Sequence, residues 1–272
     1  MSNYPTDLAD SQWQVIEEFV NTKRKRKHDL RCVVNAIVYV VKTGCHWRML
    51  PHEYPKWQVV YYYFNQWKHN GIFETIQQEL VKKVRIKQGK QQQPTAAIID
   101  AQSVKSTLVS PRSTTGFDGG KMIKGVKRHI VVDTLGLLLC VVVHSASMAD
   151  RKGGALIAEK LKVVWTNVVK IFADGGYSLV GKAEQTLQTL GDYVLEIVRR
   201  VDFNTFQVLP KRWVVERTFA WIETNRRNAK YYERQTSTAE AMTQLAAIRI
   251  MLNRAYPRAD KPVFKKKKDL NK

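Results

Sequence analysis

A chain of 272 residues that is 44% apolar and 10% aromatic excludes a disordered polymer and has room for one large core domain with a smaller one beside it. Its 45 Lys and Arg against 24 Asp and Glu leave a formal charge of +21, more than surface solvation uses, which points to a polyanionic partner: DNA or RNA ahead of an acidic membrane. The apolar run Leu137 to Val143 falls far short of the ~18 residues of a membrane span, and no phosphate-cradling Gly-x-x-x-x-Gly-Lys-Ser/Thr run appears, so neither a membrane protein nor an ATPase is expected.

Residues 1–86 read as a helical, helix-turn-helix-like DNA-binding domain. The start Met1-Ser2-Asn3-Tyr4-Pro5 has no signal-peptide character, and the expected setting is the cytoplasm. In a first helix Ser11 can cap and Gln14 reach back, with Trp13, Ile16, Phe19 and Val20 on one stripe. After the basic run Lys23 to Lys27, Asp29 can cap a second helix that turns Leu30, Val33, Val34, Ile37, Val38 and Val41 inward and stops at Gly44. A third helix places Trp57, Val60, Tyr61, Phe64 and Trp67 on one stripe and leaves Lys56, Gln58, Tyr62, Asn65 and Lys68 for other faces. Lys56, Gln58, Tyr62 and Asn65 are candidate DNA contacts, although Tyr61, Tyr62 and Tyr63 also suit the core and rim of a plain helical bundle. A fourth helix, with Ile72, Phe73, Ile76, Leu80 and Val84 on one side, runs into a polar linker at 87–95.

Strand character follows in a second domain, 96–256: Ala96 to Asp100, Arg128 to Asp133, Leu137 to His144, Lys170 to Asp174 and Tyr193 to Val198. The first three read as a meander. Helical stretches near Asp150 to Val164 and Leu179 to Leu190 separate the later strands, so the predicted fold is mixed α+β, with a helix-flanked mixed sheet compatible with a ribonuclease H-like core. Two helices close the chain, one carrying Glu216 and one opened by the box Ser237-x-x-Glu240; a basic tail, 257–272, follows. Cys32, Cys45 and Cys140 are odd in number, far apart and set in apolar surroundings, which fits packing in a reducing compartment better than zinc or disulfides.

Three acids stand out in this basic chain. Asp100 ends one apolar run, Asp174 ends another before Gly175-Gly176, and Glu216 lies in the helical stretch Trp213 to Arg217. Two strand ends and a helix can aim at a common point, and three carboxylates supply the hard oxygens that a pair of Mg²⁺ ions prefers in phosphodiester chemistry. Each acid also has an ordinary reading: Asp100 or Asp174 as a strand terminus bonded to a loop, Glu216 as a partner of Arg212. Asp133 reads as a hairpin-turn residue and Asp150 as a helix cap. Lys105, Lys127, Arg128, His129, Arg151 and Arg212 sit by strand ends, where cations could hold phosphates near the metals or form a solvated basic face.

Ordered blocks along nearly the whole chain resemble bacterial insertion-sequence transposases of the DDE type, in the insertion-sequence-five group. They include Thr43-Gly44-Cys45-His46-Trp47-Arg48-Met49-Leu50-Pro51, Ile98-Ile99-Asp100-Ala101-Gln102-Ser103, Gly125-Val126-Lys127-Arg128-His129, Ala173-Asp174-Gly175-Gly176-Tyr177 and Arg212-Trp213-Val214-Val215-Glu216-Arg217. The resemblance implies a helical DNA-binding domain and a ribonuclease H-like catalytic domain in which Asp100, Asp174 and Glu216 bind two Mg²⁺ ions, with Mn²⁺ as an alternative. It implies double-stranded DNA as partner (terminal inverted repeats and target), a homodimer on paired ends, a bacterial nucleoid setting and no small-molecule substrate. Related enzymes often carry Tyr-x-x-Arg-x-x-x-Glu with a basic residue seven positions on. Here Leu209 and Glu223 occupy the first and last of those places; positive charge returns at Arg226 and Arg227, and Glu223 becomes the rival third acid. A silent DNA-binding derivative and a nuclease without strand transfer are the other readings.

Overall fold

The computed structural model describes residues 4–20, 27–178, 187–190, 192–198 and 212–258. Four helices come first: α1 (Asp10–Glu17), α2 (Leu30–Thr43), α3 (Trp57–His69) and α4 (Ile72–Lys87). The second forms as its signals dictate, the Asp29 carboxylate taking the Arg31 amide at 2.9 Å and Gly44 closing it at a left-handed φ of 73°. The first starts earlier than its box suggested. Gln12, not Gln14, reaches back to the Ala9 amide (3.2 Å), because Leu8 is already fixed by the Asn35 side chain of α2 and Ser11 falls inside the first turn. On α3, Val60, Phe64 and Trp67 are buried, whereas Tyr61 is 40% exposed and lays its ring against Trp47 at 5.3 Å. The inward stripe is narrower than the sequence period implied.

Among the described residues seven strands form one sheet: β1 (Ala96–Lys105), β2 (Gly116–Asp118), β3 (Ile123–Asp133), β4 (Leu138–Ser145), β5 (Lys170–Ala173), β6 (Leu187–Leu190) and β7 (Tyr193–Ile197). The sheet runs β2-β3-β1-β5-β7-β6, with β4 also on β3. β1, β3 and β4 are the antiparallel meander; β1, β5 and β7 are parallel. This is a mixed sheet of ribonuclease H-like character. β2 was not foreseen, and residues 187–190, read from sequence as the end of a helix, are a strand paired antiparallel with β7. The rest of that stretch, 179–186, lies outside the described residues, as do the basic residues 23–26, position 209 and the tail beyond Arg258.

Helices α5 (Asp150–Val164), α6 (Arg212–Glu223) and α7 (Thr236–Ala255) cover the sheet. Two cap assignments change. Ala149 is the cap of α5, freeing Asp150 for Lys127 at 2.8 Å. Gln235 precedes α7, and Glu240, instead of reaching back to Ser237, takes the Val143 amide of β4 at 2.9 Å and sits 3.6 Å from Lys160. The reason is shared: each carboxylate has a strand-borne partner that its own helix terminus cannot match once the helices dock. Asp133 behaves as expected, taking the amides of Leu135 (3.0 Å) and Leu137 (2.8 Å) to close the β3–β4 turn. The buried apolar residues of α1–α4 and of the sheet and its helices belong to one cluster, with α7 packed on both α4 and β4. The three cysteines are free thiols, Cys140 buried.

Candidate active site at the strand ends

β1 and β5 run side by side in parallel, Ala96 level with Lys170 and Ile98 with Phe172. Continuing that register sets Asp100 level with Asp174, one residue beyond the end of β5. β1 does not stop at Asp100, however; it continues to Lys105, so this acid sits mid-strand with its Oδ1 on the Ala101 amide at 2.7 Å. Asp174 opens a tight 3-10 turn, Gly175–Tyr177, by taking the Gly176 amide at 2.9 Å. The turn packs tightly there: a Cβ on Gly176 would lie 3.1 Å from Asp174 Oδ1 and 3.2 Å from Asp150 Oδ2. Asp150, read from sequence as a cap, therefore stands beside the Asp174 turn.

Helix α6 seats Val215 and Ile222 in the core and hydrogen-bonds Thr218 Oγ1 to the Gly136 carbonyl at 3.0 Å, which leaves Arg212 and Glu216 facing the strand ends. The Arg212 guanidinium lies 3.4 Å from Glu216 and 4.0 Å from Asp174. Of the two readings of Glu216, the structure shows the pairing with Arg212, a residue that also lies beside Asp174. The rival, Glu223, takes a hydrogen bond from Gln102 at 2.6 Å, farther along β1. Burial, reinforced by the Asp174 charge, pushes the Asp100 carboxyl up to about 6 against the pull of the Ala101 amide, Arg212 and Lys121. Like charges in a half-dry place are what a divalent cation compensates, and carboxylate oxygens are the donor type that Mg²⁺ or Mn²⁺ takes, although the three acids are not gathered around one point here. Among the described residues no three acid, His or Cys side chains stand close enough to share an ion; Arg212 provides the positive charge between them.

That raised value has a stability consequence. A carboxyl held above its unfolded value binds its proton more tightly when folded, so the associated stability is present below about pH 4 and is lost as pH rises to about 6. Without metal, Asp100→Asn should therefore be more stable than the parent at pH 7.5, by up to about 3 kcal/mol, with the gap closing near pH 4. Denaturant unfolding in EDTA at the two pH values checks it; equal stability at pH 7.5 would remove the charge strain.

The cations divide by burial. Lys105 is exposed at the end of β1, and Arg226 is exposed beyond α6. Lys127 is buried between Asp150 (2.8 Å) and Asp118 (3.7 Å), and Arg128, 3% exposed, donates to the Asn228 carbonyl at 3.0 Å. Arg227 is held by Glu233 at 2.6 Å. The Lys127 and Arg128 heads are taken by protein acceptors because the sheet and the segment after α6 close over them, and these two leave the set of surface phosphate contacts, whereas Arg227 still lines a cleft beside α3. His129 is no cation either: it is fully buried, and burial drops its pKa to about 3. Lys56, just before α3, and Gln58 and Tyr62 on it are exposed, and Asn65 lines a cleft of about 1040 Å³ together with Trp47, Arg48, Trp57, Lys68 and Arg234. The sequence reading passed over Lys121, Tyr177 and His144; for Tyr177 the signal was present in the block Asp174-Gly175-Gly176-Tyr177.

Comparison with known families gives two matches. A family described as "Putative transposase of IS4/5 family" matches residues 8–77, and one described as "Transposase DDE domain" matches residues 91–251, more than half of the chain. No curated protein and no solved structure matches it.

Proposed function

From the premise that the chain belongs to the transposase DDE-domain family, we propose that it binds the terminal inverted repeats of its element, nicks DNA at the element boundary and joins the freed 3′-hydroxyl to target DNA. The observation that supports this reading is the level placement of Asp100 and Asp174 on neighbouring parallel strands, with Arg212 4.0 Å from Asp174 and 3.4 Å from Glu216 on α6. When bound, two divalent ions supply Lewis-acid charge for in-line displacement at phosphorus. Asp100, Asp174 and Glu216 would hold them. The Ala101 amide orients the Asp100 carboxylate and the Gly176 amide that of Asp174. Arg212 and exposed Lys105 would hold the phosphates flanking the scissile bond. Lys56, just before α3, and Gln58, Tyr62 and Asn65 on it would contact the repeat, with Arg226 as a further phosphate contact. Pairing two ends calls for a homodimer, and the setting would be the bacterial nucleoid. Among the described residues no helix is long and apolar enough to cross a membrane.

The test is a gel assay of the purified chain on DNA carrying the element end, with Mg²⁺ or Ca²⁺. Mg²⁺-dependent 3′ nicks and joined products are expected; nicks without joining would indicate a nuclease, and binding without either a silent DNA-binding protein. Binding itself should be strongly salt-dependent. With roughly 8 phosphate contacts, log affinity should fall against log salt with a slope of about −7 as counterions are released. A slope near zero in a titration from 50 to 200 mM salt would refute a phosphate-dominated interface.

A further inference from the structure

Behind the acids lies a buried polar chain that the proposed chemistry does not use. Tyr177 closes the turn that presents Asp174, and its hydroxyl is 2.7 Å from His129 Nδ1 in the middle of β3; both residues are buried to 1% or less. His129 pairs with Ala101 across the β1–β3 ladder, next to Asp100. The hydrogen bond therefore ties the turn carrying one acid to the strands carrying the other. Its direction follows from chemistry. Tyr177 lies among the charges of Asp100, Asp150 and Asp174 and keeps its proton, its pKa raised well above the usual phenol value chiefly by burial, so the hydroxyl donates and neutral His129 accepts at Nδ1. The remaining proton of His129 is then on Nε2.

His144 on β4 completes the pattern. Its Nδ1 is 2.8 Å from the Ser145 carbonyl, which can only accept, so His144 carries its proton there and offers a lone pair at Nε2. The two rings lie 4.8 Å apart, and both Nε2 atoms are buried without a protein partner. They face the same spot on α5: a Cβ on Gly153 would come within 2.3 Å of His129 Nε2 and 2.4 Å of His144 Nε2. A glycine inside a helix costs about 1 kcal/mol relative to Ala, so its presence here has a reason in the room the imidazoles need.

We infer that Tyr177 and His129, backed by His144 and admitted by Gly153, are positioning residues that fix the spacing of Asp100 and Asp174 and thereby the affinity of this site for divalent metal. The inference rests on the metal-binding role proposed for those acids. Groups that orient ligands from behind are worth about 10- to 100-fold in metal affinity.

Mn²⁺ binding to the full chain, followed by electron paramagnetic resonance, tests it directly, with Asp100→Asn as the baseline for the site. Tyr177→Phe, which keeps the ring and removes only the hydroxyl, should weaken Mn²⁺ binding about 10- to 100-fold and leave duplex affinity unchanged. His129→Asn, which retains an acceptor near Nδ1, should bind Mn²⁺ more tightly than His129→Leu, a ranking that mere packing loss would not produce. Mn²⁺ affinity of Tyr177→Phe within twofold of the parent, or equal affinities for the two His129 variants, would overturn the inference. Parent protein binding Mn²⁺ no better than Asp100→Asn would instead overturn the metal assignment, and this inference with it.

Discussion

Asp100→Asn, Asp174→Asn and Glu216→Gln are each expected to lower the rate of Mg²⁺-dependent nicking by at least ~10³-fold while duplex binding stays within about threefold of the parent. Loss of one carboxylate from a metal pair forfeits several kcal/mol of charge stabilisation at phosphorus, and each 1.4 kcal/mol is about tenfold in rate. Binding survives because the proposed repeat contacts lie on α3, and each substitution removes negative charge near a polyanion. Glu223→Gln is the discriminating control. Its carboxylate is engaged with Gln102 at 2.6 Å, whereas Glu216 shares Arg212 with Asp174, so it should retain activity within about threefold. Single-turnover nicking of an end-labelled duplex reads all four. If Glu223→Gln is inactive and Glu216→Gln active, the third acid is Glu223.

The second large effect is on stability. Arg85 of α4 and Asp133 at the end of β3 form a nearly dry ion pair, their side chains 7% and 0% exposed, and Arg85 Nε also donates to the Gln91 carbonyl at 2.7 Å. Asp133 has the turn amides of Leu135 and Leu137 as well, yet burial still holds its carboxyl above the usual range. Arg85→Ala therefore leaves a buried carboxylate without its counter-charge, and destabilisation of about 3–5 kcal/mol is expected. Arg85→Met with Asp133→Asn, which removes both charges, should recover a large part of it. Urea unfolding midpoints measure both. A loss below about 1 kcal/mol for Arg85→Ala would show that water reaches the pair.

Local signals were the most legible part of the sequence. Asp29 and Gly44 bound α2, the Asp133 turn joins β3 to β4, and the apolar runs became strands, because caps, turns and periodicity act over a few residues and need no partner from elsewhere. The misreadings share one cause. Ser11, Asp150 and the Ser237–Glu240 box are all plausible helix starts, and each lost to a competitor supplied by another element: Asn35 with Gln12, Lys127, and the Val143 amide. Residues 187–190 became a strand because an edge of β7 was available to pair with them.

The sequence by itself determined the family, the mixed α+β character and the identity of the three acids as candidates, since residue type and order suffice for these. Tertiary structure decided which cations remain at the surface. Lys127 and Arg128 look like Lys105 and Arg226 in a sequence, but only packing shows that their charges are spent on Asp150 and the Asn228 carbonyl. It also decided that Asp100 and Asp174 stand level, a consequence of parallel register between strands about seventy residues apart, and that His129 is a neutral acceptor for Tyr177. Burial and register are properties of pairs of distant segments, and no window along the chain contains both members of the pair.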